Sequence, residues 1–207
     1  MDIVQIIIWL TVLLFSVILH EVSHGYVAYR LGDPTAKFAG RLTMNPVPHI
    51  DPVMSILVPA LLILSQAGFI FGGAKPVPIN PGNFKNYRRD MMIASIAGPA
   101  ANVGLVIVSI ILLKITKVVP AFQIEGLIQV LFVFLQLNVV LLVFNMFPIP
   151  PLDGSKVLAY FLPRGAAAKY EKMEKYGFII LIALLLIFPE FIFGFLKFFM
   201  YLAVSLV

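Results

Sequence analysis

The chain has 207 residues, enough for one domain, yet 61% are hydrophobic, only 12% are charged, and the mean hydropathy is +1.01. Soluble domains carry about a quarter charged residues, and disordered chains are poor in apolar ones, so this composition excludes both a water-soluble monomer and a disordered chain. The net charge of +5 fits basic loops beside a bilayer better than a nucleic-acid partner, and with no cysteine any metal must be held by His, Asp or Glu.

A helix needs roughly 20 mainly apolar residues to cross the hydrocarbon. The first such stretch runs from Ile3 to about Tyr29; without a basic leader or a small-residue cleavage site, it is expected to stay in the protein as a span. Val53 to Phe71 is ambiguous, because it contains Pro59 and Gly68 and runs into Gly72-Gly73 and the proline-rich Lys75–Pro81. It either crosses or re-enters, and non-helical backbone at membrane depth is tolerated only when packed against protein. Two further spans follow at 91–113, interrupted by Gly98-Pro99, and at 126–147. The last apolar stretch, 176–207, carries Pro189-Glu190 in its middle and is either one kinked span or two short helices.

Charge placement bears on the ambiguous stretch. If 53–71 re-enters, segments 30–51, 73–90 and 148–175 share one face with twelve Lys/Arg, against two, Lys114 and Lys117, in the opposite loop. The positive-inside tendency favours that arrangement, with the basic face toward the cytoplasm of a cell membrane. Ala166–Tyr176, with Lys169, Lys172 and Lys175, has the pattern of an interfacial amphipathic helix at the lipid headgroups. The expected fold is an all-α polytopic membrane protein with about four to six transmembrane helices and a re-entrant segment. Residues 1–207 are expected to form a single membrane-embedded domain, with a core at 3–157 and a helical region at 158–207.

The chemistry concentrates in the first span, at His20-Glu21-Val-Ser-His24. Residues four apart share a helix face, so both histidines can reach one metal ion, and Glu21 beside them can serve as general base. Ionisable side chains within a span are costly and usually functional. Catalytic zinc generally takes three protein ligands, and two regions compete for the third. Asp153 lies in Asn145…Pro148-Ile-Pro-Pro-Leu-Asp153-Gly154, where prolines forbid regular helix; His49 and Asp51 lie in Asn45-Pro-Val-Pro-His49-Ile-Asp51-Pro52 and could equally hold a turn. His20 and His24 occupy the last third of their span, and Asp153 follows the end of its own. They meet at one depth only if both spans end on the same face, which again requires that 53–71 not cross.

These motifs resemble the site-2 protease family of intramembrane zinc metalloproteases, in particular its short prokaryotic members without appended PDZ or CBS domains. The likeness rests on His20-Glu21-Val-Ser-His24, on Asn145…Pro148…Leu152-Asp153-Gly154, and on Gly98-Pro99-Ala-Ala-Asn102, and covers about residues 10 to 157. It implies one zinc per chain on His20, His24 and Asp153, with Glu21 activating water. Asn145 would position substrate or stabilise the oxyanion. From their positions in the chain alone, Asn102 and His49 are further candidates for contact with the substrate. Asn102 could equally make an interhelical hydrogen bond. The resemblance also implies short β-strands near the site, at 36–43 and 75–80, where an unwound substrate segment could add as a strand.

The expected function is hydrolysis of peptide bonds within or near the transmembrane segments of membrane-protein substrates. The alternative is a metal or proton transporter using the same His/Glu/Asp cluster, against which stand the single cluster and the lack of an inverted repeat.

Overall fold

A computed structural model describes residues 2–64 and 73–207. Three helices are long and apolar enough to cross a membrane: α1 (Ile3–Arg30), α4 (Tyr87–Val118) and α5 (Glu125–Asn145). Between the first two lie the short α2 (Thr35–Phe38), a wide turn over Pro52–Leu57 and α3 (Val58–Leu64). After α5 come α6 (Asp153–Phe161), α7 (Arg164–Glu171), α8 (Gly177–Ile187) and α9 (Pro189–Ser205).

The ends of the long helices follow local chemistry. Asp2 caps α1 by accepting the Gln5 N–H at 2.8 Å, and the Gln5 side chain accepts the Asp2 N–H in return. The Asn86 side chain caps α4 in the same way, from the Arg89 N–H. Arg88 reaches the exposed carbonyls at the end of α6, donating to Ala159, Tyr160 and Leu162. This satisfies groups that a helix C-terminus leaves open.

Helix directions can be read from the contacts. Val12 packs with Val133 and Leu137, and Ser16 bonds Asn138, so α1 and α5 run parallel. Ala28 packs with Ala94, and His20 bonds Asn102, so α4 runs antiparallel to α1. The C-terminal end of α1 therefore meets the N-terminal end of α4, and segment 31–86 leaves and returns on one face. Re-entry of 53–71 requires that arrangement, although 65–72 lies outside the described residues. The largest apolar cluster joins Leu113 of α4 to Leu131, Leu135, Val139 and Val143 of α5, with Leu181 of α8 and Ala203 of α9.

Two sequence expectations change. Of the four to six spans expected, three helices among the described residues reach the length, and the C-terminal apolar run does not, because the chain breaks at Phe188 and Pro189 starts a new helix. Proline has no N–H to give and is pre-shaped for a first helical position, so it divides one apolar run into 11 and 17 residues. The expected strands are also missing: no strand occurs among the described residues. Residues 36–43 hold α2 and turns, and 75–80 has no regular structure. Pro76 and Pro78 cannot donate to a ladder, and three of the four N–H groups in 75–80 are engaged elsewhere: Lys75 to the His49 carbonyl, Val77 to Glu21 and Asn80 to Asp33.

Leu135 is wholly buried where α5 faces its neighbours. Leu135→Ala should lower unfolding stability by about 2–5 kcal/mol through lost contact and residual cavity, as measured by denaturation of the purified protein in detergent.

Candidate metal centre

Three helices and a turn bring His20, His24 and Asp153 together, with ligand atoms all within 4.8 Å of one another. The two Nε2 atoms are 3.0 Å apart, and Asp153 Oδ2 lies 3.2 Å from one and 3.3 Å from the other. Asp153 opens α6 immediately after the proline turn, where the helix N-terminus favours a carboxylate. Gly154 lets that turn close, since a Cβ there would stand 2.2 Å from the Met146 carbonyl oxygen.

The outer ring nitrogens decide what the inner ones can do. His24 Nδ1 is 2.7 Å from the Ala94 carbonyl and His20 Nδ1 is 2.6 Å from Asn102 Oδ1, so each Nδ1 donates to an oxygen. In a neutral imidazole the other nitrogen is then an acceptor. Two imidazole lone pairs and a carboxylate oxygen thus converge, and Oδ2 is buried with no hydrogen-bond partner. Three acceptors facing one another in an apolar bundle call for a cation. Their spacing suits one, because ligands about 2.0–2.1 Å from a tetrahedral zinc lie about 3.3 Å apart.

The α4 backbone forms the wall of this centre. A Cβ on Gly98 would lie 2.3 Å from His24 Nε2 and 2.6 Å from His20 Cε1. The next residue, Pro99, has no N–H for the Ser95 carbonyl and interrupts the helix ladder beside the site. Gly98-Pro99 has the sequence signature of a kink, but its glycine is what gives the imidazoles room.

Glu21 is half-buried, and its Oε2 accepts the Val77 N–H at 2.8 Å. The segment carrying Val77 is pinned on both sides. Arg41 donates to the Lys75 carbonyl, while buried Asp33 accepts the Asn80 N–H at 2.7 Å and also bonds Thr35 and the Asn83 side chain. Burial pushes the Asp33 carboxyl up, but these hydrogen bonds together outweigh it and hold it below the ordinary carboxylate range.

The remaining candidates lie apart from the three ligand atoms. His49 is fully buried, with Nε2 2.9 Å from the Thr43 carbonyl, and it is not in the metal-capable group. It holds the turn before 52–57, as its proline-rich surroundings allow. Asn145 is half-buried and donates its amide to the Leu141 carbonyl one turn back. Asn102 is wholly buried and contacts His20 and Asn138. Sequence reasoning missed Asn138, Ser16 and Val77. The first two are polar residues within apolar runs, and that was the available signal.

A family model for peptidase family M50 matches residues 113–188. The chain is 41% identical over 177 residues to the "Putative zinc metalloprotease YwhC" of Bacillus subtilis (strain 168), covering 83% of this chain and 77% of that protein. The chain belongs to the site-2 protease family, M50. Two further members named "Putative zinc metalloprotease Rip2" are similar: 34% identical over 84% of this chain in Mycolicibacterium smegmatis, and 30% over 84% in Mycobacterium tuberculosis H37Rv. The chain spans 64% of the length of each of these two, just under two thirds. No solved structure matches the chain. Membership makes it a metalloprotease relative, and zinc is the metal in its relatives' names.

Gly98→Ala should abolish stoichiometric zinc binding by wedging a methyl between the imidazoles, whereas Gly104→Ala, with nothing within 4 Å, should leave it intact. Metal analysis of the two purified variants checks this. Asp33→Asn should lower thermal stability at neutral pH. An Asp33 carboxyl held low stabilises fully above its unfolded value of about 4. That contribution disappears as pH falls through the lower folded value, so the two melting curves should converge as the pH is taken below the ordinary carboxylate range.

Proposed function

We propose that this chain is an intramembrane zinc endopeptidase that cuts peptide bonds within or near transmembrane segments of membrane-protein substrates. One observation carries the proposal: three convergent acceptor atoms sit inside an apolar bundle, with a carboxylate, Glu21, adjacent in sequence to the first ligand. His20, His24 and Asp153 would hold one zinc, which when bound supplies a Lewis acid that polarises a carbonyl and acidifies water. Family membership supports this over the transporter reading.

The chain's residues supply the rest. Glu21 takes a proton from the attacking water as its oxygen bonds to the scissile carbonyl carbon. As the carbon–nitrogen bond breaks, Glu21 returns that proton to the departing amine. The Val77 N–H fixes one carboxylate oxygen, Oε2, and so sets the direction in which the other faces. Asn145 lies at the end of α5, eight residues before Asp153, and would bind the substrate backbone or the developing oxyanion once its amide leaves Leu141.

A substrate helix must unwind before attack, because its amides are bonded internally. The segment at 75–80 offers few free N–H groups for pairing, so recognition there would draw on its carbonyls. Residues 1–207 act as one membrane-embedded unit in this reading, with the site at the basic, cytoplasmic face of a cell membrane. The exposed Lys169, Lys172 and Lys175 follow α6 on that side and would meet anionic headgroups.

Glu21→Gln should keep zinc and lose cleavage of a reconstituted transmembrane substrate by at least about a hundredfold, the scale of a lost general base. Cleavage at the wild-type rate, or metal flux across vesicles without cleavage by either form, would refute the proposal.

A further inference from the structure

Three wholly buried polar residues stand behind His20. His20 Nδ1 meets Asn102 Oδ1 at 2.6 Å, Asn102 Nδ2 meets Asn138 Oδ1 at 2.8 Å, and Asn138 Nδ2 meets both Ser16 Oγ and the Phe134 carbonyl at 2.9 Å. Ser16, Asn102 and Asn138 are each 0% exposed, so no solvent offers them substitute partners. The row joins α1, α4 and α5 through side chains, and it ends on a main-chain atom.

That ending gives the row a direction. The Phe134 carbonyl can only accept, so the Asn138 group facing it must be the NH2, and Oδ1 must face Asn102. Asn102 in turn must aim its NH2 at Asn138 and its oxygen at His20. Facing an oxygen, His20 Nδ1 must carry the proton, which leaves Nε2 with a lone pair toward Asp153 and His24. Reversing either amide would set oxygen against oxygen or NH2 against NH2 in a dry interior, where unpaired polar groups are costly. His24 needs no such row, because its Nδ1 bonds the Ala94 carbonyl directly.

We infer that Asn138 is a positioning residue which, through Asn102, fixes the proton of His20 on Nδ1 and keeps Nε2 available as a metal ligand. This rests on the reading of His20 as a zinc ligand. Partners behind a metal-bound histidine set its tautomer and orientation, and losing them typically weakens metal binding 10–100-fold.

The experiment uses the purified full-length protein in detergent, stripped of metal by chelation. Zinc affinity is measured by competition with a chromogenic chelator, and the tautomer of His20 by nitrogen-15 NMR of histidine-labelled protein. Asn138→Leu should weaken zinc about 10–100-fold and mix the His20 tautomers. Asn102→Asp presents an acceptor oxygen to His20 whichever way it turns. In that background Asn138→Leu should cost no more than about twofold, the margin expected for independent sites. Equal losses in both backgrounds would mean that Asn138 only packs, and would overturn the inference. An unchanged affinity in Asn138→Leu would overturn it as well. The wild-type spectrum needs no variant: a proton on His20 Nε2 in the metal-free protein would also overturn it. Failure of the zinc reading looks different, since the wild type and His20→Ala would then bind zinc equally poorly while the tautomer of His20 still reported on Asn138.

Discussion

In a hydrocarbon surrounding, a polar atom finds its partner within the protein or remains unsatisfied at a cost of several kcal/mol. The convergence of His20 Nε2, His24 Nε2 and Asp153 Oδ2 concentrates that constraint, since all three are acceptors about 3 Å apart. Much of the neighbouring structure exists to hold those lone pairs in place. Both imidazoles are referred to main-chain carbonyls, His24 directly to Ala94 and His20 by way of two asparagines to Phe134. Backbone carbonyls of a helix cannot rotate away, so side-chain orientation inherits the rigidity of the bundle.

The parts legible in the sequence were those governed by period and depth. Two histidines four apart must share a helix face, and a carboxylate just past the end of another apolar run can reach them only if the runs are parallel. The structure has α1 and α5 parallel and α4 antiparallel, and the positions of the basic residues agree with it. Gly98 of the 98–102 motif and Asp153 of the 145–154 motif stand at the cluster, while Asn145 bonds the Leu141 carbonyl of its own helix.

The illegible parts depend on which way individual groups turn. Asn138 lies in a helix whose apolar residues run all round it, so no amphipathic pattern announces the face it occupies. His49 has the residue type of a ligand and the surroundings of a turn, and only the Thr43 carbonyl decides between them. The strands expected at 75–80 fail because prolines at 76 and 78 remove donors and the Glu21 carboxylate claims the N–H between them. Even the break at Phe188 was visible only as an alternative, since a proline in a long apolar run permits either a kink or a restart.

The glycine at position 98 makes the metal centre a gauge of helix position. Its backbone lies so near both imidazoles that even a methyl group there would stand 2.3 Å from His24 Nε2. Packed helices commonly slide by 1–2 Å at interfaces. A slide of α4 on that scale would crowd or open the histidines without touching any ligand residue. Any force that moved α4 along α1 would therefore be felt at His20 and His24 through this one close approach.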